Sequence, residues 1–229
     1  VVVPSGLLLL ADSRTPSGGH GHSGGVEALV DRAMVRTVGD LALFLAGRLS
    51  AGGSVQAAAA AAACALAGAD AADWARWDGA VSARTPSAAL RAASRAQGSA
   101  LLRTVAAAWP GPVLDTLGNL PHVHHPLVLG VAVAAAGGTP SDAALLALHH
   151  LIGGAGSAAV RLLGLDPLAV AAAAVAAGRQ AQQVAAAAAG DALRAVAADD
   201  PALLPAEGSA LHDVLAQLHD TSGTMLFAS

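Results

Sequence analysis

Lysine and tyrosine are absent from this 229-residue chain, and several other residue types are scarce, among them two Phe, two Met, two Glu and a single Cys. Each absence excludes something. A lone cysteine, Cys64, cannot close an intramolecular disulfide, so this is not a disulfide-stapled scaffold, and a reducing compartment such as the cytoplasm suits it. Aromatic residues make up 2% of the chain, so its core cannot rest on large rings. The twelve basic residues are all arginine, the net charge is −4, and no two basic residues are adjacent. The electrostatic footprint of a nucleic-acid binder is therefore missing.

Uninterrupted long apolar runs are also lacking, although the mean hydropathy is +0.57. Two spans carry no charge, Leu49–Ala69 and Thr116–Ser141. The first is broken by Gly52, Gly53, Ser54 and Gln56, which leaves an apolar stretch of about 13 residues against the roughly 20 that a spanning helix needs. The second contains Asn119, Pro121, Pro126 and three histidines. Alanine, which dominates the first, contributes little to insertion. No membrane partner is expected. Val1–Val3 runs directly into Pro4 without a basic segment or cleavage site, so no signal peptide is expected either.

What is abundant is alanine, within a hydrophobic content of 55%. Such a core gains its stability from many small contacts, which suits closely packed helices. Periodicity and breakers divide the chain into helical pieces at Leu7–Ala11, Val26–Val35, Leu41–Leu49, Val55–Ala67, Ala71–Ser82, Pro86–Trp109, Pro126–Ala136, Ser141–Leu163, Pro167–Ala197 and Ser209–Leu218. Strand-like alternation is almost absent. Thr85-Pro86, Thr139-Pro140-Ser141-Asp142 and Asp166-Pro167 each supply a capping side chain or a first-turn proline at a helix start. The segments Pro110–Pro121 and Asp199–Gly208 read as loops too short to be linkers. The expected architecture is all-α, one compact domain spanning residues 1–229 and built from about ten helices.

Chemistry-bearing residues are few. His20 and His22, His122, His124 and His125, and His149 and His150 invite a Zn or Ni reading, but none of these groups has the i, i+3 or i, i+4 spacing of a helical metal pair. No carboxylate or second cysteine completes a first coordination shell. Cys64 lies in an alanine run without a nearby base and reads as a small buried hydrophobe. Arg161, alone in the apolar stretch Ser157–Leu165, must snorkel to water, pair internally or present itself to another protein. The stretch Asp12–Glu27, DSRTPSGGHGHSGGVE, holds five glycines and two histidines between two helical pieces. It lacks the Lys-Ser/Thr ending of a phosphate loop. Glu27 stands in the first turn after it, where a carboxylate favours the helix dipole.

That stretch resembles the N-terminal signature of the UreF family of urease accessory proteins: a small-polar pair, Pro-x-Gly, an aromatic, Ser, then a Gly-x-Glu ending. The matching positions are Asp12, Ser13, Pro16, Gly18, Ser23, Gly25 and Glu27. Arg91–Leu102, His125-Pro126 with Gly130, Ser157–Leu163 and the terminal Leu226-Phe227-Ala228-Ser229 resemble later blocks of the family in the same order. His20 and His22 stand where the family keeps aromatics, Gly164–Pro167 replaces Pro-Leu-Gly-Gln, and Ala228 replaces a terminal arginine. The resemblance implies an all-α, non-enzymatic protein that binds a UreD/UreH-type accessory protein and a UreG-type GTPase, pairs with itself, and serves nickel insertion into apo-urease. It needs no cofactor or resident metal of its own. Partner-binding residues are then expected at Pro16, Gly18, Ser23, Gly25, Glu27, Arg161, Leu226, Phe227 and Ser229. The competing reading is a His-dependent Ni/Zn-binding enzyme or metal-storage protein, relying on His122, His124 and His125.

Overall fold

Alanine decides how closely these helices approach. The computed structural model describes residues 3–16, 21–67 and 73–220. Among them are eleven α-helices and no strand: α1 (Ser5–Ala11), α2 (Val26–Val30), α3 (Val38–Arg48), α4 (Ser54–Leu66), α5 (Trp74–Ala83), α6 (Ala88–Ala108), α7 (Pro112–Gly118), α8 (His125–Ala135), α9 (Pro140–Leu163), α10 (Pro167–Ala197) and α11 (Ala210–Asp220). Helix α4 is the axis, with all seven alanines from Ala57 to Ala63 fully buried. Helices α8, α9 and α10 pack around it. A methyl group is the whole side chain at these positions, so neighbouring backbones come close. At the α4/α8 crossing even a methyl is too large: a Cβ on Gly130 would lie 2.1 Å from the Ala60 carbonyl oxygen.

Helix starts follow their capping chemistry. Thr139 and Asp142 form a reciprocal capping box at α9, and Asp166 accepts the Leu168 N–H at the head of α10 behind Pro167. The predicted bounds of α10 coincide with those observed. At α6 the cap is Ser87, not Thr85; its Oγ accepts the Leu90 N–H at 3.3 Å. The Thr85 hydroxyl donates instead to the Val81 carbonyl, finishing α5.

Three expectations change. Helix α2 stops at Val30 rather than Val35, because the chain turns at Ala33 (φ 55°) so that Val35 enters the core and Thr37 can cap α3. The carbonyls freed by this turn are met by Arg32, which donates to Ala28, and Arg36, which donates to Ala33. The Pro110–Pro121 loop contains α7, opened by Pro112 and burying Leu114 and Leu117. The Asp199–Gly208 loop holds a 3₁₀ turn at Pro201–Leu203. The predicted start of the fifth helix at Ala71 lies outside the described residues, as do Gly18, Leu226, Phe227 and Ser229.

Between α3 and α4 a π turn (Leu49–Gly53) breaks the helix at Ala51 and Gly52. The loop before α11 closes over this break: the Gly52 N–H donates to the Glu207 carbonyl at 2.9 Å, and Ser54 Oγ reaches the Glu207 carboxylate at 3.3 Å. Arg84 fastens the same loop to α5, donating to the carbonyls of Ala202, Leu204 and Pro205. Among the described residues two segments have the length and apolarity to cross a membrane, Val38–Leu66 and Pro140–Leu163, but 67% and 56% of their apolar windows are buried against the rest of the chain.

Candidate functional site

The glycine-rich loop is positioned by its own short side chains. Ser23 is fully buried, and its Oγ accepts the Gly25 N–H at 3.3 Å. Gly25, at φ 96°, caps α2 in a conformation that favours glycine. A Cβ there would also lie 2.4 Å from the His212 ring, so the close approach of α11 requires glycine a second time. Glu27 follows in the first turn of α2 and is 4% exposed. Its Oε2 lies 3.1 Å from Nε2 of His219, whose other nitrogen is 3.8 Å from the Asp31 carboxylate. Glu27 thus does more than favour the helix dipole: it ties α2 to the last described helix.

The structure therefore brings Ser23, Gly25 and Glu27 together inside the protein, against α11. Pro16 is exposed, with its carbonyl accepting the Thr104 hydroxyl at 2.7 Å. Arg161 is distant in sequence but lines the same cleft as His22 and Gly24 of the loop; it is exposed in the last turn of α9, where a cation complements the helix dipole. It ends an outward ridge of α9 that runs through Leu145, His149, Gly153 and Ser157.

A cleft of about 820 Å³ opens between the loop and helices α3, α8, α9 and α11, with His22, His125, His149, His150, Arg48 and His212 on its walls. His150 is oriented by the Leu10 carbonyl, 2.8 Å from its Nε2. A carbonyl only accepts, so Nε2 carries the proton and Nδ1 keeps its lone pair. Burial lowers the His150 pKa. It pushes His125 down to about 3, helped by His150 and His22, and His212 to about 3, helped by Arg48. These three imidazoles are neutral at pH 7, and the positive charge of the cleft rests on arginine.

The histidines of the 122–125 segment do not converge. His124 is fully buried, with Ser82 Oγ 2.9 Å from Nε2 and Ser94 Oγ 2.9 Å from Nδ1. Its backbone N–H donates to Asp78, which Arg95 also engages at 2.7 Å. His122 is exposed beside Ser99, and His125 faces His150 across 6.1 Å. Among the described residues no group of three or more His, Cys, Asp or Glu side chains is placed to hold a metal ion. Cys64 is buried near the Gly138 carbonyl, and burial raises its thiol to about 11, as an inert core position should have.

Sequence reasoning missed Arg48, His212 and His219. One signal was available: His212 and His219 are seven apart in a helix, on the face that also buries Leu215 and Ala216.

The fold and the cleft define an all-helical protein whose polar side chains orient loops and helix ends. A family model described as UreF matches residues 35–178. The chain is 42% identical to the urease accessory protein UreF of Mycobacterium sp. (strain JLS) and 41% identical to that of Mycolicibacterium vanbaalenii, in each case over 97% of both chains. It is 40% identical to the Mycobacterium tuberculosis (strain H37Rv) protein of the same name, over 72% of this chain and 75% of that one. The chain belongs to the UreF family of urease accessory proteins.

Proposed function

We propose that this protein acts in nickel insertion into apo-urease, as a cytoplasmic scaffold between a UreD/UreH-type accessory protein and a UreG-type GTPase. The observation that carries the reading is similarity over 97% of the chain to proteins named for this accessory role. Nickel is the cargo of the assembly, and the chain contributes surfaces and positioning. The reading takes residues 1–229 as one working domain.

The 12–27 loop and the terminal residues Leu226, Phe227 and Ser229 serve the UreD/UreH-type partner. Ser23, Gly25 and Glu27 act on that interface from inside, since they set the loop against α11, whose far end leads into the terminal residues. Arg161 faces outward with a planar, permanently charged donor set, the chemistry that engages a carboxylate on a GTPase surface. Self-pairing suits the outer face of α10, where Leu168 and Val175 are 80% and 78% exposed among exposed Ala171, Ala172 and Ala176.

The test is co-purification with tagged UreD/UreH-type and UreG-type proteins, read beside urease activation in a reconstituted system. The wild-type chain is expected in the complex. Arg161→Glu should lose the GTPase and lower activation at least tenfold, the scale of a 1.4 kcal/mol interface contact, with unchanged circular dichroism. Failure of the wild-type chain to join either partner overturns the scaffold reading; unchanged activation by Arg161→Glu removes that residue from it.

A further inference from the structure

Arg48 ends α3 beneath the cleft and is 9% exposed. Its Nε has no partner among the described residues. The guanidinium lies over Gly52, where an added Cβ would be 3.1 Å from Nη1, so the glycine at φ 66° gives it room. Burial lowers its pKa to about 10, and the Asp213 carboxylate opposes the drop. It is a cation at pH 7, held out of water. Asp213 makes no ion pair with it and accepts instead from the Ser87 N–H at 3.4 Å.

His212 stands beside it, 7% exposed, and its Nε2 also lacks a partner among the described residues. Both residues face the same cleft. The other charges lining the cleft are engaged: Asp12 pairs with Arg14, Arg84 is taken by the carbonyls of the loop before α11, and Arg161 Nε donates to the Ser157 carbonyl at 3.4 Å. Two buried polar groups of this kind each cost free energy comparable to a lost hydrogen bond, more for the charged one. An anion with several oxygens that entered this cleft would bring an acceptor to each.

We propose that the cleft beside Arg48 and His212 binds a small oxyanion of the carboxylate or phosphate class. Arg48 supplies charge and a forked donor pair, and His212 Nε2–H supplies a further donor. The fork matches the geometry of a carboxylate or phosphate edge. Asp213, on the adjacent wall, weakens the site and tunes it towards anions that carry their charge on the edge facing Arg48.

The site is independent of the assembly role, and its test needs no partner protein. Thermal unfolding of the full chain is followed in rising sodium phosphate and, separately, sodium succinate, with ionic strength held constant by sodium chloride. The wild-type chain should gain Tm saturably in one or both series and not in chloride alone, because a ligand of the native state stabilises it by mass action. Arg48→Met should abolish that gain while keeping a cooperative transition, since it removes a buried charge that lacks an ion-pair partner. Asp213→Asn should tighten the apparent Kd roughly fivefold by removing a nearby like charge. Equal Tm values in phosphate, succinate and chloride overturn the proposal, as does a gain that survives Arg48→Met. Retention of an acidic partner peptide with no response to either free anion overturns it too. If Arg48→Met does not fold, calorimetric titration of the Asp213→Asn chain with phosphate and succinate decides: tighter binding supports the site, and unchanged or absent binding overturns it.

Discussion

Adding one methyl group at Gly130 should damage the protein more than its size suggests. The new Cβ would meet the Ala60 carbonyl oxygen at 2.1 Å, the Ala63 Cβ at 2.8 Å and the Cys64 nitrogen at 2.9 Å. Two of these three atoms are helix backbone, so no rotamer change relieves the contact, and α4 and α8 must move apart along the most deeply buried seam of the fold. Overpacking costs about 1–3 kcal/mol, and a backbone clash belongs at or above the upper end. Replacing a mid-helix glycine by alanine returns about 1 kcal/mol of helix propensity. The net loss is about 2 kcal/mol, or roughly 4–8 °C in Tm for a chain of this length. Gly178→Ala is the control: that glycine also lies inside a helix, α10, but has open space where its Cβ would go. There only the propensity gain operates, and Tm should rise by about 1–4 °C. Calorimetry or circular dichroism on the two variants reads opposite signs. A Gly130→Ala protein as stable as the wild type would refute the claim that the α4 and α8 backbones touch.

Acid should weaken the fold well above the carboxylate range. His124 and His212 are buried and neutral, with pKa values pushed by burial to about 4 and about 3. Below about pH 6.5 the unfolded chain takes up protons that the native chain refuses, so stability is full above that pH and falls as the pH drops towards 4, by up to about 1.4 kcal/mol per unit for each histidine. Urea midpoints measured at pH 7.5, 6 and 5 should decline in that order; midpoints independent of pH would contradict the assignment. His219→Ala should remove the imidazole that meets the buried Glu27 side chain, at a cost of about 3 kcal/mol, and hydrogen exchange should show α11 opening first at Leu215 and Ala216. Undiminished protection there would mean that the α2–α11 tie is not what holds the last helix.

Where a local signal and the fold agreed, the chain could be read directly. Asp166-Pro167 and the Thr139–Asp142 box place the starts of α10 and α9 because capping is settled within four residues. Helix α2 was overrun because nothing between Val30 and Val35 is a glycine or proline; the turn at Ala33 is imposed by where Val35 and α3 must go. Helix α7 was hidden by its own Gly111-Pro112 start, a pair that marks loops and helix beginnings alike. The residues of the loop signature were visible, but their partners were not: Gly25 meets His212 and Glu27 meets His219 across nearly the whole chain. The cleft was still less legible, since Arg48, His125, His150 and His212 come from four different helices and share no motif.

The seven buried alanines of α4 also bear on how this protein responds to temperature. Unfolding a core of methyl groups exposes less apolar area per residue than unfolding one of leucine and phenylalanine, while it exposes as much peptide backbone. Apolar exposure raises the heat capacity and polar exposure lowers it. The α4 seam should therefore add less to the heat-capacity increment than a leucine-rich seam of the same length, and calorimetry should show a correspondingly flatter curve of stability against temperature. A protein built this way is expected to lose less of its margin on cooling or warming than one with a leucine-rich core.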